Sequence, residues 1–144
     1  MVTMKLRVTR IRSPKDLRRA FSIRLRVFVR EQRVPREIEL DGDDQRAWHL
    51  LAWYGGRPVG TARVVIERGA AKIGRMAVLR RYRGRGIGTK LLRRAVKLAR
   101  QKGAERVYLH AQVPVIGFYE KDGFRPVGPV FVEAGIPHRK MILK

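Results

Sequence analysis

Three glycines at alternate positions, Gly84, Gly86 and Gly88, stand between a run that reads as a strand and a run that reads as an amphipathic helix. After Gly88 the apolar residues Leu91, Leu92, Ala95, Val96 and Ala99 share one helical face. Lys90, Arg93, Arg94, Lys97 and Arg100 share the other, and Gly103 stops the helix. Residues 71–79 before the glycines and 107–111 after the helix read as strands. A strand-helix-strand unit closes as a parallel pair. Glycines at such a junction let the amides of Arg83, Gly84, Arg85, Gly86, Ile87, Gly88 and Thr89 turn toward one point. The helix N-terminus adds partial positive charge there, and Arg80, Arg81, Arg83 and Arg85 add formal charge. The junction reads as a pyrophosphate site.

Two familiar phosphate motifs do not fit. A Walker loop needs Gly followed directly by Lys and then Ser or Thr, whereas Gly88 is followed by Thr89 and Lys90. A dinucleotide fingerprint needs wider glycine spacing after the first strand of its fold. A flexible Arg-Gly turn and an RNA-binding Arg-Gly stretch are the competing readings.

Around this unit the chain reads as an antiparallel meander. Residues 5–10 alternate as a strand. Ser13 and Pro14 open a helix with Leu17, Ala20, Phe21, Leu25 and Phe28 at helical spacing. Residues 31–44 read as an acidic loop with room for a short helical turn. Trp48–Tyr54 and Arg57–Glu67 form a hairpin about Gly55-Gly56, with Gly60 a candidate bulge. A short helix near 115–121 ends at Gly123, and 124–131 and 138–143 read as a last strand pair. The fold class is α/β (α+β): a mixed, mostly antiparallel sheet flanked by helices, with residues 1–144 as one domain.

With no cysteine there is no disulfide framework, thiolate nucleophile or Cys-based metal site. The N-terminus lacks the apolar core of a signal peptide and no apolar run reaches spanning length, so the expected location is cytoplasmic. The net charge of +22 fits a solvated arginine-rich surface, and equally phosphate, nucleic acid or another polyanion as partner. The acids cluster instead at Glu31, Glu37, Glu39, Asp41, Asp43 and Asp44. This suggests a cationic substrate on one side and an anionic cofactor on the other. The absence of asparagine and the excess of arginine over lysine fit a thermophile and a GC-rich genome alike.

Arg83-x-x-Gly86-x-Gly88 resembles the Arg/Gln-x-x-Gly-x-Gly/Ala signature of the GNAT superfamily of acyl-CoA N-acyltransferases. The likeness runs over nearly the whole chain. Arg24-x-x-Val27-Phe28-Val29-x-Glu31-Gln32-x-Val34-Pro35, with Glu39, Asp41, Asp44 and His49 after it, is similar to a subgroup of small bacterial and archaeal members. So are Leu109-His110-Ala111-Gln112, Phe118-Tyr119-Glu120-Lys121-x-Gly123-Phe124 and Glu133-Ala134-Gly135-Ile136-Pro137-His138.

The resemblance implies an acetyl-CoA-dependent N-acetyltransferase acting on a primary amine by direct attack, through a tetrahedral intermediate, without a metal. The alternative is a protein of the same fold that binds nucleic acid or the ribosome without that activity. The loop 83–89 would hold the CoA pyrophosphate. Amides near Met76, Ala77 and Val78 would face the pantetheine arm and thioester, with Val78 stabilising the developing oxyanion. Tyr119 would protonate the departing thiolate, because a phenol is protonated at neutral pH. Gln112 stands where the wider superfamily carries asparagine, with the cofactor contact that position implies. For the general base the candidates are Glu31, Glu39, Asp41, Asp44, His49, His110 and His138, with Glu31 preferred because it follows the first helix. A monomer and a homodimer both fit.

Overall fold

The computed structural model describes residues 5–144, so the first four residues of the expected domain and of the N-terminal stretch lie outside the described residues. Seven strands form one sheet in the order β1-β2-β3-β4-β5-β7-β6. They are β1 (Leu6–Arg10), β2 (Trp48–Tyr54), β3 (Arg57–Glu67), β4 (Ala70–Val78), β5 (Arg106–Gln112), β6 (Phe124–Glu133) and β7 (Ile136–Leu143). All neighbours are antiparallel except β4 and β5. This is the expected mixed, mostly antiparallel sheet.

Helices cover both faces. α3 (Ile87–Gln101) crosses between β4 and β5 and buries Leu91, Leu92, Ala95, Leu98 and Ala99 in the main core. α4 (Ile116–Glu120) joins the same core through Phe118 and Tyr119. On the opposite face α1 (Pro14–Arg24), capped by Ser13 accepting the Asp16 amide, packs Ala20 and Ile23 with Leu51 and Ala77. Of the apolar stripe expected along α1, only Ala20 is fully buried; Ile23, Arg24 and Val27 complete the inward face. Beyond Arg24 the helix widens into a π-helical segment, Leu25–Glu31, so simple 3.6-residue spacing does not carry through. The acidic stretch folds as α2 (Arg36–Glu39) and a 3₁₀ turn, Gly42–Gln45.

Two irregularities shape the sheet. The β2/β3 register slips next to Gly60, between Ala52↔Gly60 and Trp53↔Pro58, as expected of a bulge. A side chain at Gly60 would meet Leu91 Cδ1 at 3.0 Å and the Ala77 carbonyl at 3.1 Å, so glycine lets α3 approach the sheet closely. The second slip lies in β4. Thr61 faces Ala77 and Arg63 faces Gly74, which leaves Arg75 and Met76 opposite Ala62 alone. A bulge bends the strand that carries it. Here β4 pairs with β5 only from Ala70↔Arg106 to Ile73↔Leu109, and the two strands diverge beyond.

Arg75 sits at φ 49°, a left-handed conformation unfavourable for a residue with a side chain. Its guanidinium compensates by bonding Asp41 Oδ2 (3.0 Å) and the Ile38 carbonyl (3.2 Å), with Nε 3.1 Å from Glu39 Oε2. These contacts belong to a larger ionic network. Arg24, only 1% exposed, bonds Glu39 Oε1 (2.8 Å) and Asp44 Oδ1 (2.7 Å). Arg63 bonds Asp41 Oδ1 (2.7 Å) and Asp44 Oδ1 (2.9 Å). Three arginines from α1, β3 and β4 thus fasten the segment that carries Glu39, Asp41 and Asp44.

Removing one partner of a buried ion pair strands the others in low dielectric, typically at about 3–5 kcal/mol. Arg24→Ala is expected to lose that much in urea unfolding. An unchanged midpoint and slope would show that the network adds no stability.

Candidate active site

The divergence of β4 from β5 opens a cleft of about 1150 Å³ lined by both strands, the glycine loop and α4. The Leu79 amide bonds the Val59 carbonyl at 2.9 Å. Because strand backbone groups alternate in direction, Val78 then faces the open edge, and its carbonyl accepts from Arg83 Nε at 2.9 Å. Alternation also turns Met76 outward and Ala77 inward. Ala77 is in register with Thr61, so its amide belongs to the β3 side, unlike the other two.

Gly84 and Gly86 adopt φ 77° and 79°. A Cβ at either would meet nothing within 4 Å, so the demand for glycine is conformational and the space above the loop is open. Gly86 is the N-cap of α3 and offers no capping side chain. The amides of Ile87, Gly88 and Thr89 open a fifteen-residue helix at the cleft, a ready anion cradle. The residues present therefore fit a CoA pyrophosphate. They fit through backbone amides more than through arginines. Arg83 forms a bidentate pair with Glu31 (2.7 and 2.9 Å). Arg85 reaches the Tyr54 hydroxyl at 3.3 Å and lies over the Tyr54 and Tyr82 rings.

α4 abuts the loop directly: a Cβ on Gly88 would stand 3.2 Å from Phe118 Cζ. Phe118 meets Tyr119 edge-to-face at 5.0 Å, and Tyr119 meets Phe124 at 6.2 Å. Tyr119 lines the cleft, and burial alone pushes its phenol up to about 12. It holds its proton across the whole working range. Gln112, at the end of β5, donates to Gln32 Oε1 at 2.9 Å, which ties β5 to the segment after the π helix.

The carboxylates expected as bases are engaged elsewhere. The Arg83 hydrogen bond, outweighing some burial, holds Glu31 below the ordinary carboxylate range. The expected division between an acidic acceptor side and a basic loop is therefore replaced by a direct Glu31–Arg83 contact. Asp41 and Asp44 are partly buried, which opposes their charge, but their arginines prevail and keep both carboxyls low. With Glu39 they face an equal number of arginines, so this wall carries no acidic surplus. Burial lowers His49, and its Nε2 lies 3.0 Å from the Asp44 carbonyl.

A different cluster appears on β5, β6 and β7. His110 Nδ1 lies 3.1 Å from Glu133 Oε1, and His138 Nε2 lies 3.8 Å from Glu133 Oε2. His138 Nδ1 bonds the Ile136 carbonyl at 2.6 Å. The His110 hydrogen bond, aided by nearby Lys72 and the two imidazoles, holds Glu133 at about 2 despite partial burial. Glu133 has no sequence signal as a site residue beyond its place in a family-like motif. Only the strand register brings it to His110. Among the described residues no group of His, Asp and Glu is arranged to hold a metal ion, and no helix is long and apolar enough to cross a membrane.

Comparison with known proteins agrees with this geometry. The pattern of the Acetyltransferase (GNAT) family matches residues 15–124. The uncharacterized N-acetyltransferase YjcF of Bacillus subtilis is 36% identical over 132 residues, 91% of this chain and 94% of that protein. The crystal structure of Escherichia coli ElaA superposes with a TM-score of 0.84 at 29% identity, covering 99% of this chain and 100% of that one. An acyl-CoA N-acyltransferase from Pseudomonas aeruginosa gives the same TM-score, identity and coverage. With the signature loop, the split strands and these relatives in agreement, the chain belongs to the GNAT family of acetyltransferases.

Proposed function

We propose that this acetyltransferase moves the acetyl group of acetyl-CoA onto a primary amine. The observation that carries the reading is the unpaired edge of β4 lying in one cleft with the uncapped N-terminus of α3. The first offers outward backbone groups at Met76 and Val78 to an extended arm and its thioester carbonyl. The second offers the amides of Ile87, Gly88 and Thr89 to phosphate. Val78 N–H is suited to stabilise charge on the carbonyl oxygen as the amine attacks. Tyr119 is the acid for the departing thiolate: it borders the cleft, keeps its proton, and is positioned by Phe118 against the loop. Arg83 and Glu31 act as a strap that holds the loop to the π segment, and Gln112 with Gln32 bounds the cleft on the β5 side.

Two experiments test this reading. CoA should raise the melting temperature of the protein by mass action, and Gly86→Val should abolish the rise. A β-branched residue cannot easily hold φ near 79° and would place methyl groups where phosphate sits. No shift in the wild-type protein at millimolar CoA would remove the central claim. Tyr119→Phe should cut turnover by on the order of a hundredfold or more, while acetyl-CoA binding changes by about 1 kcal/mol or less. Equal turnover where chemistry limits the rate would make Tyr119 a packing residue.

A second reading, association with nucleic acid, rests on α3. Its outer face presents Lys90, Arg93, Arg94, Lys97 and Arg100, and no acid lies anywhere in the helix. Among the described residues only Arg93 of these forms an ion pair, with Asp122. The apolar face of α3 is buried in the core, which leaves charge rather than insertion as its means of binding. Affinity for a duplex oligonucleotide should then fall steeply and log-linearly with salt. Arg94→Gln with Lys97→Gln should flatten the slope by about 2. A salt-independent or absent signal would leave the helix face as plain solvated surface.

A further inference from the structure

We propose that His110 takes the proton from the acceptor amine and that Glu133 is its positioning residue. The inference deepens the acetyl-transfer reading and rests on it.

The argument begins with where the strands part. Leu109 is the last β5 residue paired with β4, so His110 is the first residue beyond the split and lines the cleft. The β6–β7 hairpin then turns through Ala134 and Gly135, at φ 53° and 76°, with Glu133↔Ile136 as its closing pair. This brings the Glu133 carboxylate to His110 Nδ1 at 3.1 Å. A carboxylate can only accept, so the partner assigns the proton to Nδ1 and leaves the lone pair on Nε2. His138 Nδ1 likewise faces an acceptor, the Ile136 carbonyl. Its Nε2 is turned to Glu133 at 3.8 Å. Phe131 meets the His110 ring edge-on at 5.0 Å and limits its rotation.

A carboxylate behind Nδ1–H does two things for an imidazole. It keeps the basic nitrogen pointed at its target, and it faces the positive charge the ring gains on taking a proton. The charged and titratable groups around His110 are Glu133 from β6, His138 and Lys140 from β7, Lys72 from β4 and Tyr108 from β5. Lys140 is in register with His110 but lies over the Tyr108 ring. Lys72 is half-buried and interacts with Glu133. Glu133 is thus the one anion in the group. The other base candidates are spent: Glu31 on Arg83, the three network carboxylates on arginines, and His49 on a backbone carbonyl.

The protons balance. The ammonium gives one proton to His110 Nε2, which passes it to water through the open cleft. The free amine adds to the thioester carbonyl to form the new C–N bond, and the tetrahedral intermediate then collapses with loss of the C–S bond. The second proton leaving nitrogen is matched by the one Tyr119 delivers to sulfur, and the phenol is restored. The net products are the amide, the free thiol and one proton.

The test has an arm that needs no substrate. Nitrogen-15 spectra of the histidine rings in the free protein should show His110 as the Nδ1–H tautomer, and Glu133→Gln should erode that preference. An Nε2–H His110 in the wild-type protein overturns the proposal whatever the kinetics show. In the second arm, thiol release is followed against pH with phenethylamine, spermidine and lysine at saturating acetyl-CoA. His110→Gln should lower kcat by on the order of a hundredfold or more and remove the acid limb of the profile. The KM for acetyl-CoA and the CoA-induced melting shift should stay unchanged. Glu133→Gln should move the limb to lower pH, and Glu133→Asp should partly restore it. A wild-type pH profile in His110→Gln sinks the proposal while leaving acetyl transfer intact. Loss of the CoA shift in the wild-type protein sinks the acetyl-transfer reading instead. If none of the three amines turns over, the tautomer decides alone.

Discussion

One surplus residue in β4 is the constraint from which the site follows. A sheet satisfies its backbone polar groups by pairing, and an interior strand normally has partners on both sides. The bulge at Arg75 ends that condition on the β5 side after Ile73. The freed edge cannot be left dry and unpaired. Part of it is met by Arg83, which bonds the Val78 carbonyl, and the rest borders an open cleft. The bend therefore makes room for a ligand and also creates the backbone donors suited to bind one. The left-handed Arg75 that produces it is held by carboxylates and carbonyls of the α2 region, so the shape of the cleft depends on a loop distant in sequence.

Charge is arranged more locally than the total of +22 suggests. Carboxylates are not spread as a patch to attract a cationic substrate; most are paired with arginines, several of them shared. Glu39, Asp41 and Asp44 serve Arg24, Arg63 and Arg75, and Glu31 serves Arg83. Consequently the cleft wall near α2 is close to neutral, and the loop arginines contribute less to an anion site than their number implies. Glu133 differs because its partners are imidazoles, whose charge changes with protonation. Of the acids near the cleft it is the one whose surroundings a reaction can alter.

The sequence carried the architecture well where periodicity or turn chemistry decides it. The α3 stripe, the Gly55-Gly56 hairpin, the bulge beside Gly60 and the parallel β4/β5 crossover were all legible. So was the glycine loop that opens α3, because alternating glycines before an amphipathic helix mark a turn that needs positive φ. The family-like motifs pointed to Tyr119, and the structure puts it in the cleft. What was not legible depends on register and burial. Nothing local marks Arg75 as a left-handed residue, since glycine is the usual choice and Gly74 stands next to it. Nothing in the sequence around Arg24 marks it as one of the most buried side chains. The π widening hides the true inward face of α1. Glu31 looked available because its partner lies 52 residues away, and the His110–Glu133 contact spans 23 residues through two strands whose registry no pattern prints.

The partly buried network of arginines and carboxylates under the α2 segment, with Arg24 and Glu39 at its driest point, also bears on temperature. The hydration of ions becomes less favourable as water warms, so the penalty for keeping Arg24 and Glu39 out of solvent shrinks, while apolar burial gains little more. Added electrolyte reaches such enclosed pairs poorly. The wall that sets the width of the cleft is thus built from the interactions that weaken least on heating, and the mouth of the site should keep its dimensions after the apolar layers have begun to loosen.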